Sequence, residues 1–505
     1  MSTIHAASPR GAVSFLPDVL PEDRFLWQFW VNKGMEAQPL ARCLSALGAS
    51  ANWNYIGGNA LYGGFEEGVL RVLSRPGAPA PSAWMGRMRR DAAGSAHAVT
   101  PATVEGRLLL LCASPRMTVA EDEEARRLAA GLVQWEAVAA GAARANLTPC
   151  VHHNLVRIGL DARLPREQAE VLAARSRGIA SRNRRLVGQL EELTRRLEAD
   201  GIRVLLLKES ALAMSHYGNG RLRMMGDIDL LLEPEQIERV VVMLESAGYE
   251  SAEVLWTKEH YRGQHHHAAP LVHPDLAAKI EPHRSFALPL LAGPSSATTA
   301  PPEMVAAMAS RAVRLDARTW CFTPADTLFH LCLDLWGNAF LGKMGQLCDA
   351  REVIRQGGVE WPMLEDLARS IGAEAHLGFS LKLLADLDAP VPAEVLSRLA
   401  AARPAPFDAR RLRSMAERNL FGYVPARARL SRAGEKLMFQ ALGQPGGWPA
   451  RAAFLVRRYL YLGENREDIG DLGRRSRPTT GRAIGRMLTL PLRAVKRWTG
   501  SRRMP

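Results

Sequence analysis

The stretch from Gly201 to Tyr249 constrains the fold more than any other part of the chain. IRVLLL (202–207) is a short, nearly continuous apolar run, the pattern of a strand covered on both faces. ESALAMSHYG follows with helical character, DIDLLL (227–232) is a second apolar run, and PEQIERVVVMLESAGY is a second helix opened by Pro234. Beyond Gly248, HHHAAPLVH (265–273) and AAKIEPHRSF (277–286) predict two further strands around a turn at Pro274 and Asp275. The order β-α-β-α-β-β predicts a mixed sheet with helices against it.

Both flanks read as helical. EDEEARRLAAGLVQWEAVAAGAARANL carries acidic residues in its first turns, which complement the positive end of a helix. RNRRLVGQLEELTRRLEADG sets Leu186, Leu190, Leu193 and Leu197 on one stripe and stops at Gly201. Its arginines are expected on a solvated face. After residue 301, DTLFHLCLDLWGNAF, LCDAREVIRQGG, WPMLEDLARSIG and LGFSLKLLADL each carry a helical apolar stripe. The start of the chain is less regular: FLWQFWV predicts a helix, VEGRLLLLCAS a buried strand, and SRPGAPAPSAW a loop. The expected organisation is a small N-terminal α+β module (1–118), a helical segment (119–200), a catalytic core (201–300), a helical domain (301–470) and a basic tail (471–505).

The charge balance sharpens that division. With 65 Lys+Arg against 52 Asp+Glu the chain carries +13, but no acidic residue follows Asp471, whereas arginines recur to the end. The excess therefore belongs mainly to the tail, which lowers the expectation of a nucleic-acid partner for the body. RAIGRMLTLPLRAVKRW interleaves Ile484, Met487, Leu488, Leu492, Val495 and Trp498 with cations, suiting an anionic membrane surface, or equally a disordered solubilising tail. Six dispersed cysteines without a CxxC pair predict reduced thiols in a cytosolic protein. The N-terminus shows no secretory pattern, and no apolar run is long enough to span a bilayer. The expected place is the cytoplasm, with peripheral contact to the inner face of the membrane through the tail.

Asp227 and Asp229 are two like charges in the most apolar part of the core. Residues two apart on a strand share a face, so both carboxylates project together while Ile228 and Leu230 face a core. They are either solvated or arginine-paired at the rim of the sheet, with Arg221 and Arg223 at hand, or they hold a divalent cation. Paired carboxylates with phosphate oxygens suit Mg²⁺, and Glu281, in the apolar strand AAKIEPH, is a candidate third acid.

These residues resemble an uncharacterised bacterial nucleotidyltransferase family of the polymerase-beta-like superfamily. Its usual pattern is LKG, a helix and tyrosine, R…DIDLLV and a downstream ELH strand. Here the matching residues are Leu207-Lys208-Glu209, Tyr217, Arg223, Asp227-Ile228-Asp229-Leu230-Leu231 and Glu281-Pro282-His283. In organisation the resemblance runs from about 120 to 460, including the segment with His330 and Asp349. It implies an α+β polymerase-beta-like mixed sheet, with Mg²⁺ or Mn²⁺ held by Asp227, Asp229 and Glu281, the last assisting the second metal or deprotonating the attacking hydroxyl. It further implies a nucleoside triphosphate, ATP by expectation, bound near Lys208, Ser210 and Arg223, with His283 and Tyr217 as substrate contacts. The expected reaction is transfer of a nucleoside monophosphate to an unidentified acceptor with release of pyrophosphate. The phosphate turn reads Glu209-Ser210 where the family usually has Gly-Ser, so a non-catalytic binding or scaffold protein on the same fold is the alternative.

The triplet His265-His266-His267 reads as a polar edge strand near the cleft. On a regular strand His265 and His267 share a face and His266 does not, so a zinc site would need ligands from His260, His273 or His283. His330, on an apolar helix stripe, is expected to be a core histidine.

Overall fold

In the computed structural model, residues 6–8, 11–13, 100–218, 220–251, 261–262, 265–273, 279–288, 299–401, 409–421, 436, 438–443, 451 and 454 are described. Most of the expected N-terminal module and all of the basic tail lie outside them. Near the N-terminus β1 (Ala6–Ser8) and β2 (Gly11–Val13) pair antiparallel. Among the described residues, the sheet is preceded by α1 (Val104–Cys112), α2 (Val119–Ala129), α3 (Trp135–Arg144) and α4 (Thr148–Arg157). A fifth, α5 (Arg166–Ala199), runs for 34 residues.

α1 corrects the expectation of a strand at VEGRLLLLCAS. Thr103 caps it by accepting from the Gly106 amide, and Glu105 sits in its first turn. Leu108 through Leu111 are all buried, so the run is apolar all round and carries no periodicity to separate helix from strand. α2 opens on a capping box between Thr118 and Glu121. α5 has the leucine stripe read from sequence, with Leu186, Leu190, Leu193 and Leu197 all buried. Each contributes roughly 1.5–3 kcal/mol relative to exposure. Gly201, at φ +71°, turns the chain after the helix in a conformation that other residues adopt at a cost.

The sheet then forms from β3 (Val204–Leu206), β4 (Asp227–Leu231), β5 (Glu250–Ser251), β6 (Leu271–Val272), β7 (Lys279–His283), β8 (Val313–Arg314) and β9 (Thr319–Cys321). Their order across the sheet is β5-β6-β7-β4-β3-β9-β8 among the described residues. β3 pairs antiparallel with β4 and parallel with β9, and β4 pairs parallel with β7. This is the mixed sheet expected, with α6 (Lys208–Ser215) between β3 and β4 and α7 (Ile237–Ser246) after β4. The expected strand at 265–273 is shorter than read: pairing is confined to an isolated bridge at His267 and to Leu271–Val272.

Helices close the fold: α8 (Pro302–Ser310), α9 (Pro324–Gly337), α10 (Met344–Gln356), α11 (Trp361–Ser370), α12 (Glu374–Ala385), α13 (Ala393–Ala401) and α14 (Ala409–Phe421). Two apolar cores lie on opposite faces of the sheet. One packs the α5 stripe and α7 against Leu206, Ile228, Leu230 and Ile280. The other joins Leu205 and Leu231 to α1–α4 and to the helices from α9 onward. The helices before and after the sheet therefore share a core. Polar contacts stitch the same junction: Arg351 donates to the Leu110 carbonyl, Ser114 to Glu352, and Arg355 pairs with Glu121. At Gly345 on α10 a Cβ would stand 2.4 Å from the Ala145 carbonyl oxygen, so only glycine lets the two backbones approach this closely. Cys112, Cys150, Cys321, Cys332 and Cys348 are buried thiols. Among the described residues no helix is long and apolar enough to cross a membrane.

Candidate active site

Register assembles the site. In the parallel pair β4·β7, Asp227 stands opposite Lys279, Asp229 opposite Glu281 and Leu231 opposite His283. All these positions share one face, while Ile228 and Ile280 fill the core on the other. The loop entering β4 is held by α5, where the Asn183 amide donates to the carbonyls of Gly220 and Arg223 and accepts from the Met225 amide. β3 brings the third element. The Leu207 amide donates to the Asp229 carbonyl, and the next residue, Lys208, takes φ +46° as strand passes directly into helix. Its Nζ then lies 2.9 Å from Asp229 Oδ1.

Cations face the carboxylates from three sides. Lys279 pairs with Glu281 and stands 3.2 Å from Asp227. His283 Nε2 lies 2.8 Å from Asp229 Oδ1, and its Nδ1 is directed at the Ser285 carbonyl. Both contacts call for a donor, since a carbonyl and a carboxylate oxygen only accept. Burial and Lys208 oppose charge on this ring, yet its hydrogen bond to Asp229 and the nearby Glu281 carboxylate raise its pKa. Burial likewise opposes ionisation of Asp229, but Lys208 and His283 bring it down to about 2. Burial opposes ionisation of Glu281 too, yet Lys279 holds it well below the carboxylate range. Asp227 goes the other way: burial, then the Asp229 charge, push it up to about 7 against the pull of Lys279. A further positive charge nearby would relieve that upward push.

The donor chemistry is the evidence on fit. Three carboxylates on adjacent strands are hard oxygen donors of the kind Mg²⁺ and Mn²⁺ take. One ligand atom from each of Asp229, Glu281 and His283 lies within 4.8 Å of the others.

The other residues singled out from sequence are placed differently. Ser210 is fully buried, and its hydroxyl donates to the Leu207 carbonyl at 2.8 Å. Arg223 is 1% exposed and held by Asp349 through two contacts of 3.0 Å and by Glu209 at 2.9 Å. Arg223 is therefore the partner that neutralises Glu209, while Lys208 is directed at Asp229. Tyr217 is fully buried in the same neighbourhood, its phenol pushed up by burial and then by the Asp349 charge. The structure thus gathers Asp227, Asp229, Glu281, His283 and Lys208 into one cluster, and Arg223 and Tyr217 into a buried one around Asp349. His330 stacks on Phe286 with ring centroids 4.8 Å apart, the core histidine expected, and burial lowers its pKa to about 3.

Sequence reasoning missed three cationic or acidic neighbours. Lys279 precedes Glu281 by the same two-residue step that joins Asp227 to Asp229, a signal visible in AAKIEPH. Asp334 of α9 adds negative charge that helps raise Lys208, and Lys343 pairs with Asp334 at 3.1 Å. No local pattern marks those two. Residues 132–387, just over half of the 505, match a family described as an uncharacterised nucleotidyltransferase. No curated protein and no solved structure matches the chain.

Proposed function

The chain belongs to this uncharacterised nucleotidyltransferase family, and from that premise we propose that it transfers a nucleoside monophosphate from a nucleoside triphosphate, with ATP the first candidate, to an acceptor hydroxyl or phosphate. The observation that carries this reading is the in-register pairing of Asp229 with Glu281, with Asp227 on the same face and Lys208, Lys279 and His283 around them.

Asp227, Asp229 and Glu281 would hold Mg²⁺ or Mn²⁺, which supplies positive charge against the phosphate oxygens as negative charge develops there. His283, bonded to Asp229, fixes the orientation of that carboxylate. Lys208 and Lys279, which pair with these carboxylates, would turn their ammonium groups to the polyphosphate. Glu281 would accept the proton of an acceptor hydroxyl once Lys279 turns away, since while paired with Lys279 it is held too far below the carboxylate range to act as a base. The acceptor oxygen forms its bond to the α-phosphorus as the bond to the bridging oxygen breaks, and pyrophosphate leaves. The helices that share a core across the sheet hold these groups in place, so positioning supplies much of the rate.

One observation favours the alternative of a non-catalytic binding protein. Glu209 and Ser210 are both engaged internally, and the family's usual glycine is absent from the turn. Calorimetry with Mg²⁺ and a non-hydrolysable ATP analogue separates the readings from neither binding nor turnover. We expect binding by the wild type, none by Asp229→Asn, and label transfer from α-³²P-ATP once an acceptor is supplied. A wild-type protein that binds none of the four Mg²⁺-nucleotides would overturn the proposal, whereas binding without transfer to any acceptor class would favour the scaffold.

A further inference from the structure

The histidine triplet does not alternate across a strand. The chain bends at His265 and His266, and only His267 bridges to β7, opposite His283. The three imidazoles consequently converge. Ring centroids stand 4.2 Å apart for His265–His266, 4.1 Å for His265–His267 and 4.6 Å for His266–His267. One nitrogen from each lies within 4.8 Å of the other two. The expectation that His266 points away from its neighbours is therefore corrected.

Backbone bonds to the end of β7 fix this convergence. The His266 carbonyl accepts from the amides of Arg284 and Ser285 at 3.0 and 3.1 Å. The Ala268 amide donates to the Pro282 carbonyl at 2.8 Å, and the Arg284 guanidinium donates to the His265 carbonyl at 3.1 Å. His267 Nδ1 faces the Ala268 carbonyl. Since a carbonyl only accepts, Nδ1 bears the proton and Nε2 presents its lone pair, the usual way a ligating histidine is oriented. The nearest carboxylate oxygen, on Glu281, is 3.8 Å from that Nε2 and too far to occupy it with a hydrogen bond. His265 and His266 are half-buried.

We propose that His265, His266 and His267 form a binding site for a borderline transition-metal ion, zinc(II) in the first instance, beside the carboxylate cluster but not made of its residues. The two sites differ in donor chemistry. Three imidazole nitrogens suit zinc and its neighbours, whereas the carboxylates of β4 and β7 suit Mg²⁺. Three histidines leave a fourth position for water or a ligand. Nitrogens bound tetrahedrally at about 2.05 Å from zinc stand about 3.3 Å apart, so ring rotations that close the present spacing complete the site without moving the pinned backbone.

The test uses full-length, tag-free protein stripped with EDTA and dialysed against ZnCl₂ in excess Mg²⁺. Elemental analysis should find one zinc per chain in the wild type and in Asp229→Asn. The zinc should be lost from His266→Ala and from the His265→Ala/His266→Ala double variant. Replacing zinc by Co²⁺ in the wild type gives a readout independent of any variant's folding: visible ligand-field bands without thiolate charge-transfer absorption. Absence of stoichiometric zinc in the wild type, retention of zinc by the double variant, loss of zinc from Asp229→Asn, or a thiolate spectrum would each overturn the assignment. None of these readouts depends on nucleotide binding, so they stand apart from the nucleotidyl-transfer proposal.

Discussion

The contact most open to quantitative test is the buried pair between Arg223 and Asp349, each 1% exposed. Asp349→Asn keeps the shape of the side chain and removes its charge, so the effect reports electrostatics rather than a cavity. Arg223 cannot relieve the imbalance by losing its proton. Removing one partner of a buried pair costs roughly 3–5 kcal/mol because the other charge stays buried without compensation. Glu209 remains 2.9 Å from the guanidinium, with its own side chain 23% exposed. That residual partner places the expected loss near the lower end, at about 3 kcal/mol. For a unit of 150–250 residues this corresponds to a Tm lower by about 6–12 °C, read from thermal unfolding of the full chain. The reciprocal variant, Arg223→Met, behaves differently because Asp349 can take up a proton. Burial already raises the Asp349 pKa despite Arg223, and loss of the arginine raises it further. A carboxyl raised in the folded state contributes stability that is present below its unfolded pKa and is lost as pH rises through the folded value. Arg223→Met should therefore lose stability relative to wild type as pH rises above the ordinary carboxylate range, at up to about 1.4 kcal/mol per unit, while Asp349→Asn shows no such slope. A Tm for Asp349→Asn within about 2 °C of wild type would refute the reasoning, because a pair with such geometry and burial cannot be that nearly neutral to break.

Three further outcomes are expected. In EDTA, the raised Asp227 pKa of about 7 against an ordinary 3.8 makes wild-type stability fall as pH climbs between those values, and Asp227→Asn should remove that limb of the pH–Tm curve. Lys279→Met leaves Asp227 and Glu281 without their shared amine, so its Tm in EDTA should fall and Mg²⁺ should restore more than it adds to wild type; equal Mg²⁺ effects on the two proteins would contradict the proposed cation site. Gly345→Ala drives a Cβ against the Ala145 carbonyl and should cost about 1–3 kcal/mol in thermal unfolding. A gain, as alanine gives at an open helical position, would show that the two backbones are not in contact.

What the sequence reveals of this molecule follows the range of the interactions. The strands around Leu205 and Ile228, the stripe from Leu186 to Leu197 and the shared face of Asp227 and Asp229 all depend on periodicity within one element, and they are legible. Glu281 is legible too, as an acid out of place in an apolar strand. Leu108–Leu111 are not, because a run of four leucines fits a buried strand and a buried helix alike until Thr103 is seen to cap it. The converging histidines escape because a bend replaces the strand on which their alternation was judged. Arg223 looks like a free cation in RLRMMGDIDLLL because its main partner, Asp349, is 126 residues away and belongs to a helix whose pattern says nothing of it.

The two partners of Arg223 are also separated in time. Glu209 lies 14 residues earlier in the chain and Asp349 lies 126 residues later. At about 5–20 residues per second, a ribosome takes about 6–25 s to add the intervening stretch. Throughout that interval Glu209 is already synthesised and Asp349 is not. Of the two acids that hold Arg223 in the folded chain, the half-buried Glu209 is therefore the one made first, and the buried Asp349 completes the pair only after the α10 segment exists.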